Sequence, residues 1–230
     1  MDINVVNENV VKNISKVQTS TYKEVVIRKT PYQMVKRGMD VILSSLALII
    51  LLPVFAIIAL AIKLESKGPV FFKHTRIGKN GKIIKIYKFR SMVKNAEDLI
   101  KKFTPEQMKE YKENYKLTDD PRITKVGKFL RKTSLDELPQ LINIIKGDLS
   151  IIGPRPVVQE ELEKYGVNVQ KFLSVTPGLT GYWAANGRSD TTYEERMQME
   201  LFYIDNLSFK MDVKVFFKTI EAVIKREGAV

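Results

Sequence analysis

The sequence predicts a mostly helical α+β protein that is attached to a membrane by one apolar helix and carries a small β-hairpin. Three observations support this fold class. A run of 22 residues without charge fills positions 41–62, and two short strand-like segments joined by a turn follow it. Helical patterns occupy much of the remainder. With 230 residues, the chain is long enough for one medium-sized domain with a hydrophobic core.

Residues 1–30 come before the apolar run and are polar, with few aromatic side chains. This composition favours a flexible tail or a loosely docked strand. We therefore divide the chain into a polar tail at 1–30, a membrane-anchoring segment at 31–66 and a larger domain at 67–230.

The apolar run at 41–62 is long enough to cross the hydrocarbon core of a bilayer. Its flanks do not give it a direction, because basic residues are plentiful on both sides and positive charge marks the cytoplasmic side. Pro53 lies in the middle, where it removes a backbone hydrogen bond. A helix that enters, breaks at Pro53 and returns to the same face reconciles these features. A buried helix of a soluble protein and a cleaved signal peptide are the alternatives.

Composition excludes several kinds of site. The chain has no cysteine and one histidine, His74, which argues against disulfides, zinc sites and a Ser-His-Asp triad. Residues 63–133 hold 20 basic against 8 acidic residues. Such a block indicates an anionic partner, which can be nucleic acid, lipid head groups or a phosphorylated substrate. The block lacks regularly interleaved aromatic residues, which counts against nucleic acid.

The segment after the apolar run predicts a β-hairpin. Val70–Arg76 and Lys82–Arg90 have the composition of strands, and Lys79-Asn80-Gly81 between them is a turn signal. This segment is rich in lysine and arginine, which next to a membrane favours contact with anionic head groups. For most of these lysines a solvated face is the simpler interpretation. Arg90 stands apart because it ends a strand among apolar neighbours.

Helices are predicted further along the chain. Residues 94–116 suit a charged helix that is interrupted at Thr104-Pro105, where Thr104 can cap a second helix. Residues 135–146 place leucines and isoleucines on one helical face, and Gly147 ends that helix. The C-terminal part predicts helices at about 191–206 and 210–226.

Three candidates for chemistry emerge from these patterns. Asp136 and Glu137 begin the helix at 135–146, and a carboxylate can act as a covalent nucleophile or as a Mg²⁺ ligand. Acids at a helix N-terminus also simply complement the helix dipole. Arg131 lies just upstream. Arg155 lies between Pro154 and Pro156, which would hold its guanidinium rigidly for phosphate recognition, although an exposed surface turn is equally compatible.

Five motifs follow one another along the chain. They are Lys36-Arg37-x-x-Asp40 before the apolar run with Pro53, Lys88-Phe89-Arg90-Ser91-Met92, Asp120-Pro121-Arg122-Ile123-Thr124 with the following Leu130-Arg131, Ser134-Leu135-Asp136-Glu137-Leu138-Pro139-Gln140, and Gly153-Pro154-Arg155-Pro156. In order and spacing the chain resembles, over about residues 32–227, the bacterial sugar transferase family, the monotopic polyprenyl-phosphate phosphoglycosyl transferases. The resemblance is to the short form, which consists of the catalytic unit alone.

The resemblance implies a reaction at the cytoplasmic face of the bacterial inner membrane. Asp136 would attack the β-phosphorus of a UDP-sugar and release UMP. Polyprenyl (undecaprenyl) phosphate would then take the phosphosugar from the aspartate. Glu137 would be the partner acid, and Mg²⁺ would bridge Asp136 and the diphosphate. Residues 67–230 would form the catalytic domain, as one functional unit with the anchor.

The resemblance also assigns roles to other residues. Arg131 and Arg155 would hold phosphate oxygens, and Pro154, Arg90 and Arg188 would belong to the substrate-binding set. Lys36, Arg37, Asp40 and Pro53 would belong to a re-entrant membrane anchor. The implied enzyme is a phosphotransferase of the EC 2.7.8 type, at the first membrane step of an exopolysaccharide or glycoconjugate pathway. Its partners would be the UDP-sugar, the lipid phosphate and the bilayer, without nucleic acid.

One position departs from the pattern of the longer family members. Where those read Trp-Gln-x-x-Gly-Arg, this chain has Ala184 after Trp183, so the identity of the sugar does not carry over. Two other functions stay open from the residues alone. One is a membrane-tethered lipid- or nucleic-acid-binding protein without catalysis, and the other is a metal-dependent phosphohydrolase that gives the phosphosugar to water.

Overall fold

The computed structural model describes residues 31–114, 117, 119–187 and 191–225, so the predicted tail at 1–30 lies outside it. The architecture is mostly helical α+β, as predicted. The helices are α1 (Pro31–Glu65), α2 (Ala96–Ile100), α3 (Pro105–Asn114), α4 (Lys125–Lys132), α5 (Gln140–Lys146), α6 (Gln159–Glu163), α7 (Val169–Leu173), α8 (Tyr182–Asn186), α9 (Tyr193–Asp205) and α10 (Phe209–Lys225). The strands are β1 (Phe71–Ile77), β2 (Ile83–Phe89), β3 (Ser150–Ile152) and β4 (Gly178–Thr180).

The predicted β-hairpin is confirmed, and each of its four strand ends lies within one residue of the prediction. Strands β1 and β2 pair antiparallel, in a register that sets Phe71 opposite Phe89 and Ile77 opposite Ile83. The turn between them has left-handed backbone at Asn80, with φ of 56°, and at Gly81, with φ of 76°. Asparagine and glycine tolerate this conformation better than other residues. The Asn-Gly pair therefore fixes where the hairpin reverses.

Helix α1 is one uninterrupted α-helix of 35 residues that passes through Pro53. The predicted break of the helix at Pro53 is therefore wrong. Proline removes one backbone hydrogen bond, at a cost of roughly 3 kcal/mol, but Leu51, Phe55 and Ile58 around it pack into the protein core. These contacts hold the helix on both sides of the proline, so helical structure continues.

One stripe of α1 is buried against the rest of the chain. Its fully buried members are Asp40, Ser44, Phe55, Ile58 and Ile62, spaced at three or four residues or at multiples of a turn, as on one helical face. The C-terminal half packs against Phe89 and Leu130. The middle, through Ala47, Leu48 and Leu51, packs against a second cluster formed by Ile84, Ile86, Leu141, Ile144 and Leu149. The hairpin and α5 thus lie along the helix.

The N-terminal end of α1 is joined to the domain by polar contacts. Arg37 donates to the carbonyls of Ile144, at 2.5 Å, and Ile145, at 2.8 Å, at the C-terminal end of α5. Asp40 accepts a hydrogen bond of 2.9 Å from the backbone N–H of Ile151 in β3. A cation is favourable at a helix C-terminus, where carbonyl groups lack partners.

The C-terminal end of α1 is held in the same way. The Glu65 carboxylate accepts from the backbone N–H groups of Lys125, at 2.7 Å, and Val126, at 3.1 Å, at the start of α4. Arg90 donates to the carbonyls of Ser66, at 2.7 Å, and Lys67, at 2.8 Å, just after the last turn of α1. Both ends of α1 are therefore fixed to one folded body.

The opposite face of α1 is apolar and exposed. Ile42, Ile49, Ile50, Ile57 and Leu64 are each at least 65% exposed, and the helix is long and apolar enough to cross a membrane by length and composition. Only 17% of its most apolar 18-residue window is buried inside the protein. A contiguous apolar surface of this size is unusual for a soluble monomer.

The predicted helix at 135–146 is wrong at its first turn. Leu135–Glu137 form a 3-10 turn, and the α-helix begins only at Gln140. Pro139 causes the change, because it has no N–H to donate to the carbonyl of Leu135. Ser134 just before the turn has left-handed backbone, with φ of 57°. Asp136 and Glu137 therefore lie on a tight turn ahead of the helix, whereas its predicted end at Gly147, with φ of 87°, is confirmed.

The other helix predictions agree with the structure. The predicted interruption at Thr104 separates α2 from α3. Thr104 Oγ1 accepts from the N–H of Gln107 at 3.2 Å, and Gln107 Oε1 accepts from the N–H of Thr104 at 3.0 Å. Helices α9 and α10 match the two predicted C-terminal helices, of which residue 226 lies outside the described part.

Strands β3 and β4 form a short parallel pair that the sequence did not predict. Ser150 pairs with Gly178, and Ile152 with Thr180. A Cβ atom on Gly178 would clash with the backbone of Gly153, so glycine permits the close approach. This pair places the Pro154–Pro156 turn beside residues 178–181.

We expect Arg90→Met to destabilise the fold. The variant removes the donor for two partly buried carbonyls just after the C-terminal end of α1, and losing hydrogen bonds from a charged group costs about 3 kcal/mol. The melting temperature in detergent should fall by on the order of 10 °C. Lys101→Met, at an exposed side chain, is the matched control. Equal melting temperatures for the two variants would contradict the capping role.

Candidate active site

Three charged side chains meet at the turn before α5. Lys88, near the end of β2, places its Nζ 2.6 Å from Glu137 Oε1 and 3.8 Å from Asp136 Oδ2. The two acids are adjacent in the 3-10 turn, which lets one lysine reach both. The turn is held in place by Leu135 and Leu138, which flank the acids and pack against the buried stripe of α1. The predicted acid pair thus lies on a rigid support.

Asp136 is the more buried of the two acids. It is 8% exposed, and its removal from water raises the pKa of its carboxyl group. Glu137 also raises this pKa, whereas Lys88 and Arg131 lower it. Burial strips water from the carboxylate and makes it more nucleophilic, and the two cations favour its charged form.

Arg131 lies in the last turn of α4, close enough to Asp136 for each charge to act on the other's pKa. Its Nε donates to Ser91 Oγ at 2.9 Å, which fixes the direction of the side chain. Burial lowers the pKa of its guanidinium, and Asp136 raises it. The structure therefore places Arg131 close to Asp136.

Arg155 projects from a turn that is held on both sides. Pro154 is fully buried, and its carbonyl accepts a 2.8 Å hydrogen bond from Gly178 N–H. The Arg155 backbone N–H donates to Glu200 Oε1 at 2.9 Å. The guanidinium lies over the Trp183 ring, at 5.6 Å from its centroid. Within the described residues it forms no ion pair.

Glu137 and Arg155 line one cavity, which we call the donor cavity. It lies between the hairpin, α5, the Pro154–Pro156 turn, β4, α8 and α9. Its polar and aromatic lining consists of His74, Arg76, Lys88, Glu137, Gln140, Arg155, Thr180, Trp183 and Glu200, and Ala184 also contributes. Asp136 directly precedes Glu137 in the chain and is not itself among the lining residues. The position where the chain departs from the family pattern, Ala184, is therefore part of the site.

Several predicted residues lie elsewhere. Arg90 is 6% exposed, and its guanidinium is used at the end of α1. Lys36 pairs with Asp212 at 2.6 Å, so it joins α1 to α10. Pro53 lies in the middle of α1, and Arg37 and Asp40 contact α5 and β3 as described above. Arg188 lies outside the described residues.

The donor set is suited to a divalent cation that is shared with a substrate. Among the described residues no group of three His, Cys, Asp or Glu side chains is assembled. Mg²⁺ commonly uses one or two carboxylates together with substrate phosphates, and Asp136 and Glu137 supply two. Lys88 already binds at these oxygens, which indicates that the position attracts positive charge.

Sequence reasoning missed Lys88, Glu200 and Arg76 as parts of the site. Lys88 had a detectable signal, because it lies in the Lys88-Phe89-Arg90 motif and alternates along β2 with Phe89, so the two point to opposite faces. Glu200 and Arg76 had no sequence signal, because only the folded chain brings α9 and β1 to the Arg155 turn. Arg76 lies 3.8 Å from Glu161, which also accepts from Arg196 at 3.1 Å.

Comparison with known proteins agrees with this geometry. The sequence model of the bacterial sugar transferase family matches residues 31–226. The chain belongs to the bacterial sugar transferase family. The match contains α1, the acid pair and the donor cavity, which the structure shows to be one packed unit.

Curated relatives in this family have related names. The exopolysaccharide production protein ExoY of Sinorhizobium fredii is 45% identical over 197 residues, covering 84% of this chain and 87% of the relative. The undecaprenyl-phosphate galactose phosphotransferase of Salmonella typhimurium is 41% identical over 206 residues, covering 88% and 43%. The UDP-glucose:undecaprenyl-phosphate glucose-1-phosphate transferase of Escherichia coli is 41% identical over 197 residues.

The relatives differ in length. The chain spans less than half of the Salmonella protein and 44% of an uncharacterised sugar transferase of Haemophilus influenzae, to which it is 42% identical. It spans most of the S. fredii protein. The family is therefore shared, while the additional parts of the longer relatives have no counterpart in the matched region.

We expect His74 to make stability depend on pH. Burial, together with Arg76, Lys88 and Arg155, lowers the pKa of His74 to about 4. In the unfolded chain its pKa is about 6.5, so acid protonates the unfolded state first. The contribution of neutral His74 to the free energy of unfolding is therefore fully present above pH 6.5 and declines as the pH falls towards 4. Because the ring is partly exposed, the loss between pH 7 and 5 should be on the order of 1 kcal/mol.

Thermal melts of the wild type and His74→Gln between pH 7 and 5 measure this effect. Other acids titrate alike in both proteins, so the difference between the two slopes reports His74. The wild type should lose about 2–4 °C more than the variant over this range. Parallel slopes would show that His74 takes up a proton equally well in the folded and unfolded chains.

Proposed function

We propose that the protein transfers a sugar 1-phosphate from a UDP-sugar to polyprenyl (undecaprenyl) phosphate and releases UMP. One observation carries the proposal: the buried Asp136 carboxylate lies beside Lys88 and Arg131, and its neighbour Glu137 lines a cavity together with Lys88 and Arg155. The names of the Salmonella and E. coli relatives describe transfer of this kind. Family membership supports the same reaction for this chain.

The charges of the site suit a phosphorylated substrate. Phosphoryl transfer depends chiefly on positioning and on neutralising the oxygens of the transferred group. Lys88 and Arg131 approach the acid pair from β2 and α4, and Arg155 lines the same cavity as Glu137. Arg155 has no carboxylate partner in the described part of the chain, so its planar fork is available to two phosphate oxygens. Arg76 adds a third positive charge to the donor cavity, beside those of Lys88 and Arg155.

In the first step, an Asp136 carboxylate oxygen attacks the β-phosphorus of the UDP-sugar. A bond forms between that oxygen and phosphorus, and the bond from phosphorus to the bridging oxygen breaks. UMP leaves with the bridging oxygen and its electron pair. Arg131 and Arg155 hold the non-bridging oxygens, and the sugar stays on phosphorus as an aspartyl phosphosugar.

In the second step, an oxygen of polyprenyl phosphate attacks the same phosphorus. The phosphorus–Asp136 bond breaks, the carboxylate is restored, and polyprenyl diphosphate sugar is released. Glu137 is more exposed than Asp136, so it can meet the incoming acceptor and take a proton if the lipid phosphate arrives protonated. Both displacements use one phosphosugar site.

Mg²⁺ fits the paired carboxylates, and we propose Asp136 as its protein ligand with Glu137 alongside. When bound, the ion neutralises charge on the diphosphate and stabilises the leaving UMP. Lys88 occupies this position in the structure, and its flexible stem lets the ammonium group move to a phosphate oxygen.

Membrane attachment on one face follows from how α1 packs. A helix of 35 residues is about 50 Å long, and the catalytic domain contacts it from Arg37 to Glu65. A straight crossing would draw this charged domain into the hydrocarbon, where polar groups are costly. We therefore propose a monotopic arrangement at the cytoplasmic face of the bacterial inner membrane, with the exposed apolar face of α1 in the lipid.

The position of the reaction in the cell is part of the proposal. The product is a lipid-linked sugar diphosphate, which an enzyme that adds further sugars would consume. The S. fredii relative is named for exopolysaccharide production. We propose that this chain acts at the first membrane step of an exopolysaccharide or glycoconjugate pathway.

We expect Asp136→Asn to lower UMP release by roughly a thousandfold or more, because an amide is a poor nucleophile. The assay uses protein in detergent with Mg²⁺, polyprenyl phosphate and a panel of UDP-sugars. Without lipid, the wild type should release about one UMP per enzyme and gain the mass of a phosphosugar. Asp98→Asn, at an exposed acid of α2, is the control.

The alternatives give different results in this assay. Continuous release of sugar phosphate without lipid would indicate a hydrolase. UMP release that persists in Asp136→Asn would remove the covalent mechanism while leaving the transferase. If no UDP-sugar in a broad panel yields UMP, the transferase assignment fails and a binding role is favoured.

We expect both ends of α1 to be accessible from the cytoplasmic side only. The chain has no cysteine, so single cysteines can be introduced at the exposed Met34 and Leu64 without background. A membrane-impermeant maleimide should label both in inverted vesicles and neither in spheroplasts. Ile50→Cys, on the exposed apolar face, should resist labelling in both. Labelling of one end from outside would show that the helix spans the membrane.

A further inference from the structure

Glu200 of α9 is a buried acid outside the catalytic acid pair. The residue is 1% exposed. Oε1 accepts the Arg155 backbone N–H at 2.9 Å, and no donor in the described part of the chain reaches Oε2. A carboxylate that is buried with so few hydrogen bonds costs stability. Leucine or methionine at this position would serve simple packing better, which points to a function for the acid.

The partner of Glu200 is an unusual backbone donor. Because Pro154 and Pro156 have no N–H, the N–H of Arg155 is the single backbone donor in the three-residue turn. The carbonyl of Pro154 is already bound by Gly178 N–H at 2.8 Å. Glu200 therefore supplies the second anchor of the turn, and it acts at the residue whose side chain faces the donor cavity.

Neighbouring charges direct the Arg155 side chain. Three guanidinium groups, those of Arg76, Arg155 and Arg196, surround this region. Glu161 pairs with Arg76 and Arg196, and Arg196 also lies over Trp183, with its Cζ 4.8 Å from the ring centroid. The Arg155 guanidinium thus meets the same indole, and no carboxylate among the described residues pairs with it. Its direction therefore depends on the backbone from which it projects.

We propose that Glu200 is a positioning residue, which holds the Arg155 backbone so that its guanidinium meets the diphosphate of the nucleotide donor. The inference rests on the proposed function. Its chemical basis is acceptance of one hydrogen bond, so the oxygen acceptor matters more than the negative charge. A displacement of about 1 Å in a substrate-positioning group can lower a rate a hundredfold.

Two substitutions of similar size distinguish the effect of the hydrogen-bond acceptor from the effect of side-chain volume. Glu200→Gln keeps an oxygen that can accept the Arg155 N–H, and Glu200→Met fills the same volume without an acceptor. Each is made in the full chain with Arg155 present and in an Arg155→Ala background. This forms a double-mutant cycle for the pair.

Two readouts are measured in detergent. One is kcat/KM for UMP release with Mg²⁺ and polyprenyl phosphate, and the other is the Kd for UDP by calorimetry. We expect Glu200→Met to lower kcat/KM by about 30-fold to 100-fold and to weaken UDP binding. Glu200→Gln should retain at least ten times the kcat/KM of Glu200→Met. In the Arg155→Ala background, Glu200→Met should change either value by less than about threefold.

A purely structural role of Glu200 predicts a different pattern. The effects of Glu200→Met and Arg155→Ala would then multiply, and Glu200→Gln would be as impaired as Glu200→Met. Either result would overturn the inference. If Glu200→Met does not fold, Glu200→Asp replaces it in the cycle, because it withdraws the acceptor by one methylene while keeping the charge.

The two readouts separate this inference from the proposed function. Coupling of Glu200 and Arg155 in UDP binding, without turnover of any UDP-sugar, would support the positioning role and reject the transferase. Normal turnover without coupling would reject the positioning role alone. A wild type that neither binds UDP nor releases UMP would reject both.

Discussion

Charged side chains at helix ends hold α1 against the rest of the protein, and the remaining structure depends on this docking. Arg37 supplies a cation to the C-terminal end of α5, Glu65 an anion to the N-terminal end of α4, and Arg90 a cation to the end of α1 itself. Each contact satisfies backbone groups that a helix leaves unpaired and has the sign that the helix dipole favours. Three such contacts fix the helix along its length, so its apolar stripe can complete the core.

The docking of α1 also fixes the position of the turn that carries Asp136 and Glu137. Leu135 and Leu138, on either side of the acid pair, pack in the same cluster as Phe55, Ile58 and Ile62 of α1. Asp136, the proposed nucleophile, is therefore held through these leucines against α1, the helix proposed to lie in the lipid. In the proposed monotopic arrangement, the depth of α1 in the lipid would also set the height of Asp136 relative to the phosphate of a lipid acceptor.

Local chemistry explains which features the sequence predicts. The Asn80-Gly81 turn, the Thr104 cap and the stop at Gly147 each depend on neighbours a few residues away, and all three are found in the structure. The continuity of α1 at Pro53 depends instead on packing with Phe89 and Leu130, which local preference does not contain. Pro139 was a local signal that the α-helix begins only after it. The helical spacing of leucine and isoleucine over 135–146 nevertheless led to the prediction of one continuous helix.

The same distinction applies to the site. Motifs predict Asp136, Glu137, Arg131 and Arg155 as site residues, yet Arg90 from an equally clear motif caps α1. An arginine suits phosphate and carbonyl oxygens alike, so the motif alone does not decide between them. What decides is the available partner: Ser66 and Lys67 present carbonyls to Arg90, Glu161 pairs with Arg76 and Arg196, and Arg155 forms no ion pair among the described residues. Function at this site therefore depends on how the fold distributes a few carboxylates and carbonyls among its arginines.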